Sequence, residues 1–340
     1  MHEAGGGDCT WISPLFPRAA VDRVARSGSL LGREARAMSD NHDDLPLFQP
    51  TPLQRRLIDA AVEIGECTPD AVEFLHSVLC QVGLPRSRTK ERFFERNNGR
   101  ASIAIEAGRL HKVGKWVEMP LPYGAKPRLA LLHISSEAVR TRSGHIEIGE
   151  SLRDFLLTLG LSTDGRAYAE MKRQMENLAA CRMLLGMSTP TKAVTIETKP
   201  IEHFEAWLHY DGKQRSMWPG YLELSPRFLE TLLEHAVPLN PLAIHGLQKS
   251  ALALDIYTWL AHRLCRVRKA EGVKLSWGNL RQQFGQEYTS SKDFKKEFRA
   301  ALLKVKAAYP DARITEEIGG LRLYSSPSPV PKSQVVVLKS

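Results

Sequence analysis

The chain has 340 residues, 43% of them hydrophobic, and its 47 Lys+Arg against 38 Asp+Glu give a formal charge of +9. That length supports about two domains with full cores, and the basic surplus is the footprint of a polyanion binder. Cys9, Cys67, Cys80, Cys181 and Cys265 are scattered, odd in number and never in C-x-x-C spacing. This argues for a reducing cytosol and against a disulfide framework or structural zinc, and no apolar run approaches the roughly 20 residues of a membrane span.

Taken in order, residues 1–50 predict a disordered arm. They hold a Gly triplet, five arginines from Arg18 to Arg36 and no signal-peptide block. Met38, followed by SDNHDDLPLF, reads as a second start, and Asp40 to Asp44 as a solvated acidic run with nothing to fix a metal. Leu45-Pro46-Leu47-Phe48 is a short apolar peptide in a polar tail. It either packs on the first domain or serves a partner, since Leu45, Leu47 and Phe48 resemble the bacterial sliding-clamp-binding pentapeptide, with Asp44 where that motif has Gln.

Helical periodicity predicts helices over Thr51 to Gly65 and Pro69 to Val82. Pro85 to Arg100 is polar and basic and reads as exposed. Ser102 to Gly108 and Val113 to Leu121 read as strands. Between them Gly108-Arg-Leu-His-Lys-Val-Gly114-Lys115-Trp116 mimics a P-loop, but it has five residues between the glycines and Trp where Ser or Thr must hold magnesium, which excludes an ATPase of that kind. Helices follow over Gly124 to Arg142, Ser151 to Leu159 and Arg166 to Ala180, with a short strand at His145 to Ile148. Strands run from Met183 to Leu224 with a turn at Asp211-Gly212, and Ser225-Pro226 opens the next helix.

The second half then repeats the first. A helix over Lys249 to Arg268 precedes a strand at Val273 to Leu275, a helix from Ser276 to Phe284 closed by Gly285, and a helix from Ser291 to Lys306. Setting SLRDFLLTLG, from Ser151, over SWGNLRQQFG, from Ser276, aligns the closing glycines at an offset of 125 residues. Arg313 to Glu317 and Leu321 to Tyr324 flank Ile318-Gly319-Gly320 as a hairpin where a winged helix carries its wing. The predicted fold is therefore α+β: tandem winged-helix (helix-turn-helix) domains over 51–224 and 225–331, after a disordered arm over 1–50 and before a tail at 332–340.

In each module the second helix suits the major groove of duplex DNA, with its N-terminal N–H groups offered to phosphates. The first would present Arg166 together with Arg173, Gln174 and Asn177, the last three suited to base edges, so the first domain is expected to carry more of the base specificity. The second would bury Phe294, Phe298, Ala301, Leu302 and Val305 and present Lys292, Lys295, Lys296, Arg299 and Lys306, better suited to phosphates. Arg322 on the wing adds a further cation. Glu316 and Glu317 read as solvated, and Trp259 and Trp277 as core residues.

The motifs beginning Met119-PLPYGAKPRLALLHISSEAVRTRS, Ser151-LRDFLLTLG, Val237-PLNPLAIHGL, Leu252-ALDIYTWLAHRL, Ser276-WGNLRQQFG and Asp293-FKKEFRAAL resemble the plasmid-encoded RepA replication initiators of proteobacteria, over about Thr51 to Pro331. The resemblance implies a cytoplasmic, non-catalytic initiator that binds repeated double-stranded origin sequences (iterons), helps open an A·T-rich segment and recruits host replication proteins: initiator, helicase and, through the arm, the sliding clamp. Initiators of similar layout often form homodimers and repress their own promoters. No cofactor, metal or membrane partner is implied. The alternative is a winged-helix transcriptional regulator, such as an autorepressor, without initiator activity. A nicking initiator would need a His-hydrophobe-His pair, a spacing no two of the 11 histidines have, and His-Glu-x-x-His and Gly-x-Ser-x-Gly are absent as well.

Overall fold

The computed structural model describes residues 71–112, 114–188, 191, 193–202 and 220–330, together with Arg55 and Val62. The predicted arm with Leu45, Leu47 and Phe48, the helix from Thr51 to Gly65 apart from Arg55 and Val62, the Asp211-Gly212 turn and the tail at 332–340 lie outside the described residues.

The fold is α+β. In chain order the elements are β1 (Glu73–His76), α1 (Ser77–Gln81), β2 (Phe93–Asn97), β3 (Ala101–Glu106), β4 (Arg109–Lys112), β5 (Lys115–Glu118), α2 (Ala125–Thr141), β6 (His145–Glu147), α3 (Leu152–Thr158), α4 (Gly165–Ala180), β7 (Arg182–Ser188) and β8 (Ala193–Thr198). They continue with β9 (Tyr221–Glu223), α5 (Pro226–His235), β10 (Ala236–Leu239), α6 (Pro241–Leu247), α7 (Ala251–Arg263), β11 (Val273–Ser276), α8 (Trp277–Phe284), α9 (Ser291–Ala308), β12 (Ile314–Glu317) and β13 (Gly320–Leu323). Most helices start where a side chain can take up a free N–H of the first turn: Ser151, Asp164, Ser225, Asn240, Ser250, Ser276 and Ser290 all accept from backbone N–H groups.

The order α2–β6–α3–α4–β7–β8 recurs as α7–β11–α8–α9–β12–β13. The sheets differ. In the second set β11, β13 and β12 form one antiparallel sheet, with the β12–β13 hairpin closed by Gly319 at φ +89°. In the first set the β7–β8 hairpin is absorbed into a four-stranded sheet of order β2-β3-β7-β8, while β6 pairs with β9. The sequence repeat is thus kept in helix order and lost in strand pairing.

Two expectations are corrected here. The helix expected from Pro69 to Val82 is, from Glu73 on, a strand followed by a five-residue helix. The strand wins because β10 lies antiparallel beside it, pairing Glu73 with Leu239 through His76 with Ala236, and because Ser136 on α2 accepts the N–H of Phe74 at 2.7 Å. The stretch from Pro85 to Arg100 contains β2, and Arg96 within it is 1% exposed. On β2, Phe94 and Arg96 share one face, as period-two alternation requires, and the Arg96 guanidinium lies 5.0 Å from the Phe94 ring centre.

Where β1 meets α1, His76 is fully buried and its Nδ1 accepts the N–H of Val78 at 3.1 Å, which requires a neutral ring. Burial, and then the neighbouring His235, lowers its pKa from 6.5 to about 4. The unfolded chain takes up this proton near pH 6.5 and the folded chain only near 4, so stability falls as pH drops through that interval, by on the order of 3 kcal/mol. His262, lowered to about 4 by burial and then by Arg266 and Arg263, adds to the same slope. Melting temperature is expected to fall between pH 7 and 4.5. His76→Asn, which keeps an acceptor beside the Val78 N–H, is expected to flatten that fall; an unchanged slope would remove His76 from the account.

Candidate nucleic-acid interface

The α8–turn–α9 unit is built from the inside outward. On α9 the 100° step per residue places Phe294, Phe298, Ala301, Leu302 and Val305 on one face, and all five are buried. Phe298 meets Trp277, Phe284 and Phe294 with ring centres 5.9, 5.6 and 5.5 Å away, so aromatic contacts set how α8 crosses α9. The turn is tied from α8. Arg281 donates to the carbonyls of Tyr288 and Thr289 at 3.2 and 3.1 Å and to the Ser291 hydroxyl at 2.9 Å.

A second set of arginines fixes the unit to the rest of the fold. Glu287, in the turn, accepts the Arg86 N–H at 2.7 Å and pairs with the guanidinium groups of Arg86 and Arg96 at 3.2 and 3.7 Å. Arg86 also donates to the Phe284 carbonyl, and Gln283 to the Gln81 carbonyl at 2.7 Å. Behind them Asp255 on α7 takes both Nε and Nη2 of Arg128, at 2.6 and 2.9 Å, with Arg86 at 3.7 Å and Arg96 at 4.0 Å. Burial, ahead of repulsion from Arg86, lowers the pKa of Arg96 to about 10.

The outward face of α9 is basic, and its cations divide into two groups. Lys292 and Lys296 are exposed and form no ion pair among the described residues. Lys295 and Arg299 lie over the Trp277 ring, at 5.8 and 5.1 Å from its centre, while Trp277 itself is buried like Trp259. Arg299 is also engaged by the β12–β13 hairpin: its Nε and Nη2 both donate to Glu316, at 3.0 and 2.5 Å. Arg322 on β13 forms the same two-point contact with Glu317, which Lys274 approaches at 4.0 Å. Hydrogen bonding to Arg322 holds the Glu317 carboxyl below its usual value. Lys306 reaches the Ile314 carbonyl at 3.4 Å. Glu316, which stays exposed as expected, and Glu317 are both ion-paired, a pairing the sequence reading did not include.

The helix N-terminus differs from expectation too. The N–H groups of Lys292 and Asp293 donate to the Ser290 hydroxyl, so the first turn offers them to the cap rather than outward. The positive charge that α9 turns outward is therefore that of its side chains.

The corresponding helix of the first set, α4, is largely covered. Arg166 and Arg173 are exposed, but Gln174 and Asn177, read as outward-facing, have no exposed surface. The 100° step puts Gln174 within about 40° of Leu178, inside the apolar sector, and its Oε1 accepts the Tyr123 N–H at 2.9 Å. The β4–β5 hairpin lies against the helix, where Lys112 pairs with Glu176 at 2.7 Å. Lys126 pairs with Glu170 at 2.5 Å. Buried amides cannot read base edges, so the expected base-reading role of α4 falls back on its two arginines.

Three features were missed in the sequence. The lone carboxylate of Asp255 in the apolar run ALALDIYTWLA was the available signal for a buried cation partner. The alternation of Phe94 and Arg96 was available for β2. Nothing in the spacing marked Trp277 as the surface on which Lys295 and Arg299 rest.

The wing carboxylates lead to a direct expectation. Glu316→Gln releases Arg299 and adds one net positive charge beside α9. Duplex affinity should rise several-fold at low salt, and the slope of log affinity against log salt should steepen by about 0.9. Weaker binding would instead make Glu316 a fastener of the hairpin to α9.

Among the described residues there is no group of three or more His, Cys, Asp and Glu placed to hold a metal, and no helix long and apolar enough to cross a membrane. Two crystal structures resemble the arrangement loosely. That of selenomethionine derivatives of domains 2 and 3 of RctB has a TM-score of 0.47 at 13% identity, covering 73% of this chain and 95% of that one. A second RctB domain 2–3 structure has a TM-score of 0.44 at 12% identity, covering 72% and 94%. No curated protein matches the sequence. Residues 121–279, from just before α2 into α8, match the family described as plasmid-encoded RepA protein.

Proposed function

We propose, from a chain whose residues 121–279 match the plasmid-encoded RepA family, a plasmid replication initiator that works by gripping and distorting repeated duplex sequences at its origin, without catalysis. The observation that carries the reading is α9: its apolar face is fully packed, and Lys292 and Lys296 stand exposed beside a β-hairpin. A helix so mounted fits the major groove, and its lysines neutralise phosphates. In this reading 51–224 and 225–331 are tandem winged-helix domains. The second supplies the main grip through Lys292, Lys295, Lys296, Arg299, Lys306 and Arg322. Arg166 and Arg173 of α4 add contacts from the first. Host replication proteins, the sliding clamp among them through Leu45, Leu47 and Phe48, then assemble on the opened origin, with a homodimer as one working form.

The test is replication itself. A plasmid carrying the gene and its flanking DNA, where direct repeats of about 20 base pairs (two helical turns) are expected, should replicate autonomously. Lys292→Ala combined with Lys296→Ala should abolish that replication. Operator binding and promoter repression without replication would replace this reading with that of a transcriptional regulator.

A further inference from the structure

The false P-loop stretch folds as the β4–β5 hairpin, turning at Gly114 with φ +75°. Among the described residues it joins no larger sheet. Leu110 and Val117 pair across it and face inward, and Lys112 ties it to α4 through Glu176. The register places Arg109, His111, Trp116 and Glu118 on the other face.

Trp116 is 69% exposed, held against the edge of the His111 ring at 5.5 Å and 69°. Its surroundings are cationic. Arg92 and Arg109 share the carboxylate of Glu118, at 3.2 and 2.8 Å, which leaves one positive charge in excess. Lys115 stands exposed at the turn, directly opposite Lys112 in the ladder, a like-charge pairing that a hairpin does not favour by itself. Phe93, the other exposed large aromatic among the described residues, adjoins Arg92.

An indole set among charges is a poor seat for an apolar protein surface, which needs a contiguous patch. It is a good seat for a flat ring carrying a negative tail. Unpaired nucleobases provide that, whereas a duplex hides its base faces in the stack. We infer that the β4–β5 hairpin is a second nucleic-acid site, specific for single-stranded DNA, in which Trp116 stacks on a base while Arg109, on the same face, holds an adjoining phosphate. This goes beyond the duplex reading and stands on separate residues.

The experiment is fluorescence anisotropy with the full-length protein, a labelled thymidine oligonucleotide of about 20 nucleotides and, in parallel, a labelled duplex from the gene's flanking DNA. Trp116→Ala is expected to weaken single-strand binding by about tenfold or more while leaving duplex affinity within about twofold. Trp116→Phe should keep most of the single-strand affinity. Because the side chain is exposed, the melting temperature should not move. Three results would overturn the inference: no single-strand binding by the unaltered protein, no effect of Trp116→Ala on it, or equal losses on single strand and duplex. Absence of duplex binding alone would overturn the proposed function and leave the hairpin site standing.

Discussion

Asp255→Asn is expected to destabilise the protein by about 3–5 kcal/mol, the usual cost of removing one partner from a buried ion pair. For a described fold of this size, that lowers the melting temperature by on the order of 10 °C. The cause is what remains. Arg86, Arg96 and Arg128 converge on this carboxylate, and without it Arg86 and Arg96 keep Glu287, itself partly exposed, while Arg128 loses both of its carboxylate contacts. An Asn side chain can accept from Arg128 but compensates no charge. The site cannot collapse around the change either, because Gly83 packs so closely that a Cβ there would lie 2.5 Å from the Asp255 carboxylate. Arg96→Met in the Asp255→Asn background should recover part of the loss, and such non-additivity is the signature of a shared network. A melting temperature within about 2 °C of the original would show that the cluster is not holding the fold.

The largest effect on binding is expected from Lys292→Ala with Lys296→Ala. Both side chains are exposed on α9 and carry no ion pair among the described residues, so they are available to phosphates. Each phosphate contact contributes about 0.9 to the slope of log affinity against log salt, so the double variant should lose about 1.8 from that slope and at least about tenfold in affinity at low salt. Stability should hardly change, since neither residue packs. Gln174→Ala and Asn177→Ala form the contrast. Both residues are buried in α4, and their loss should appear in melting temperature rather than in DNA binding. If the α4 changes weakened binding and the α9 changes did not, the roles of the two helices would be reversed.

Much of this was legible in the sequence, for identifiable reasons. The 3.6-residue period of α9 gave its buried face residue by residue, and Ser276 and Ser290 marked helix starts because a hydroxyl before an apolar period has a clear physical use. The internal offset held as well: Leu152 and Trp277 open matching helices, as do Gly165 and Ser291. What failed was anything decided by distant chain. β1 is a strand because β10 reaches it, and no local pattern announces a partner more than 150 residues away. Gln174 and Asn177 were judged by polarity, although their angular position already placed Gln174 in the apolar sector. Arg299 is a cation of α9 and Arg322 one of the hairpin, but their carboxylate partners lie on a hairpin whose register appears only in three dimensions. The exposed Trp116 was hidden by the motif it imitates.

The central claim is that α9 lies in the groove of duplex DNA. It is tested most directly by placing a cysteine-linked photo-crosslinker on the outer face, at Lys296→Cys, and irradiating the protein bound to duplex DNA from its flanking repeats. The account requires efficient attachment at that position, mapped to one short segment of each repeat. Binding that persists with no attachment at 296 would contradict it.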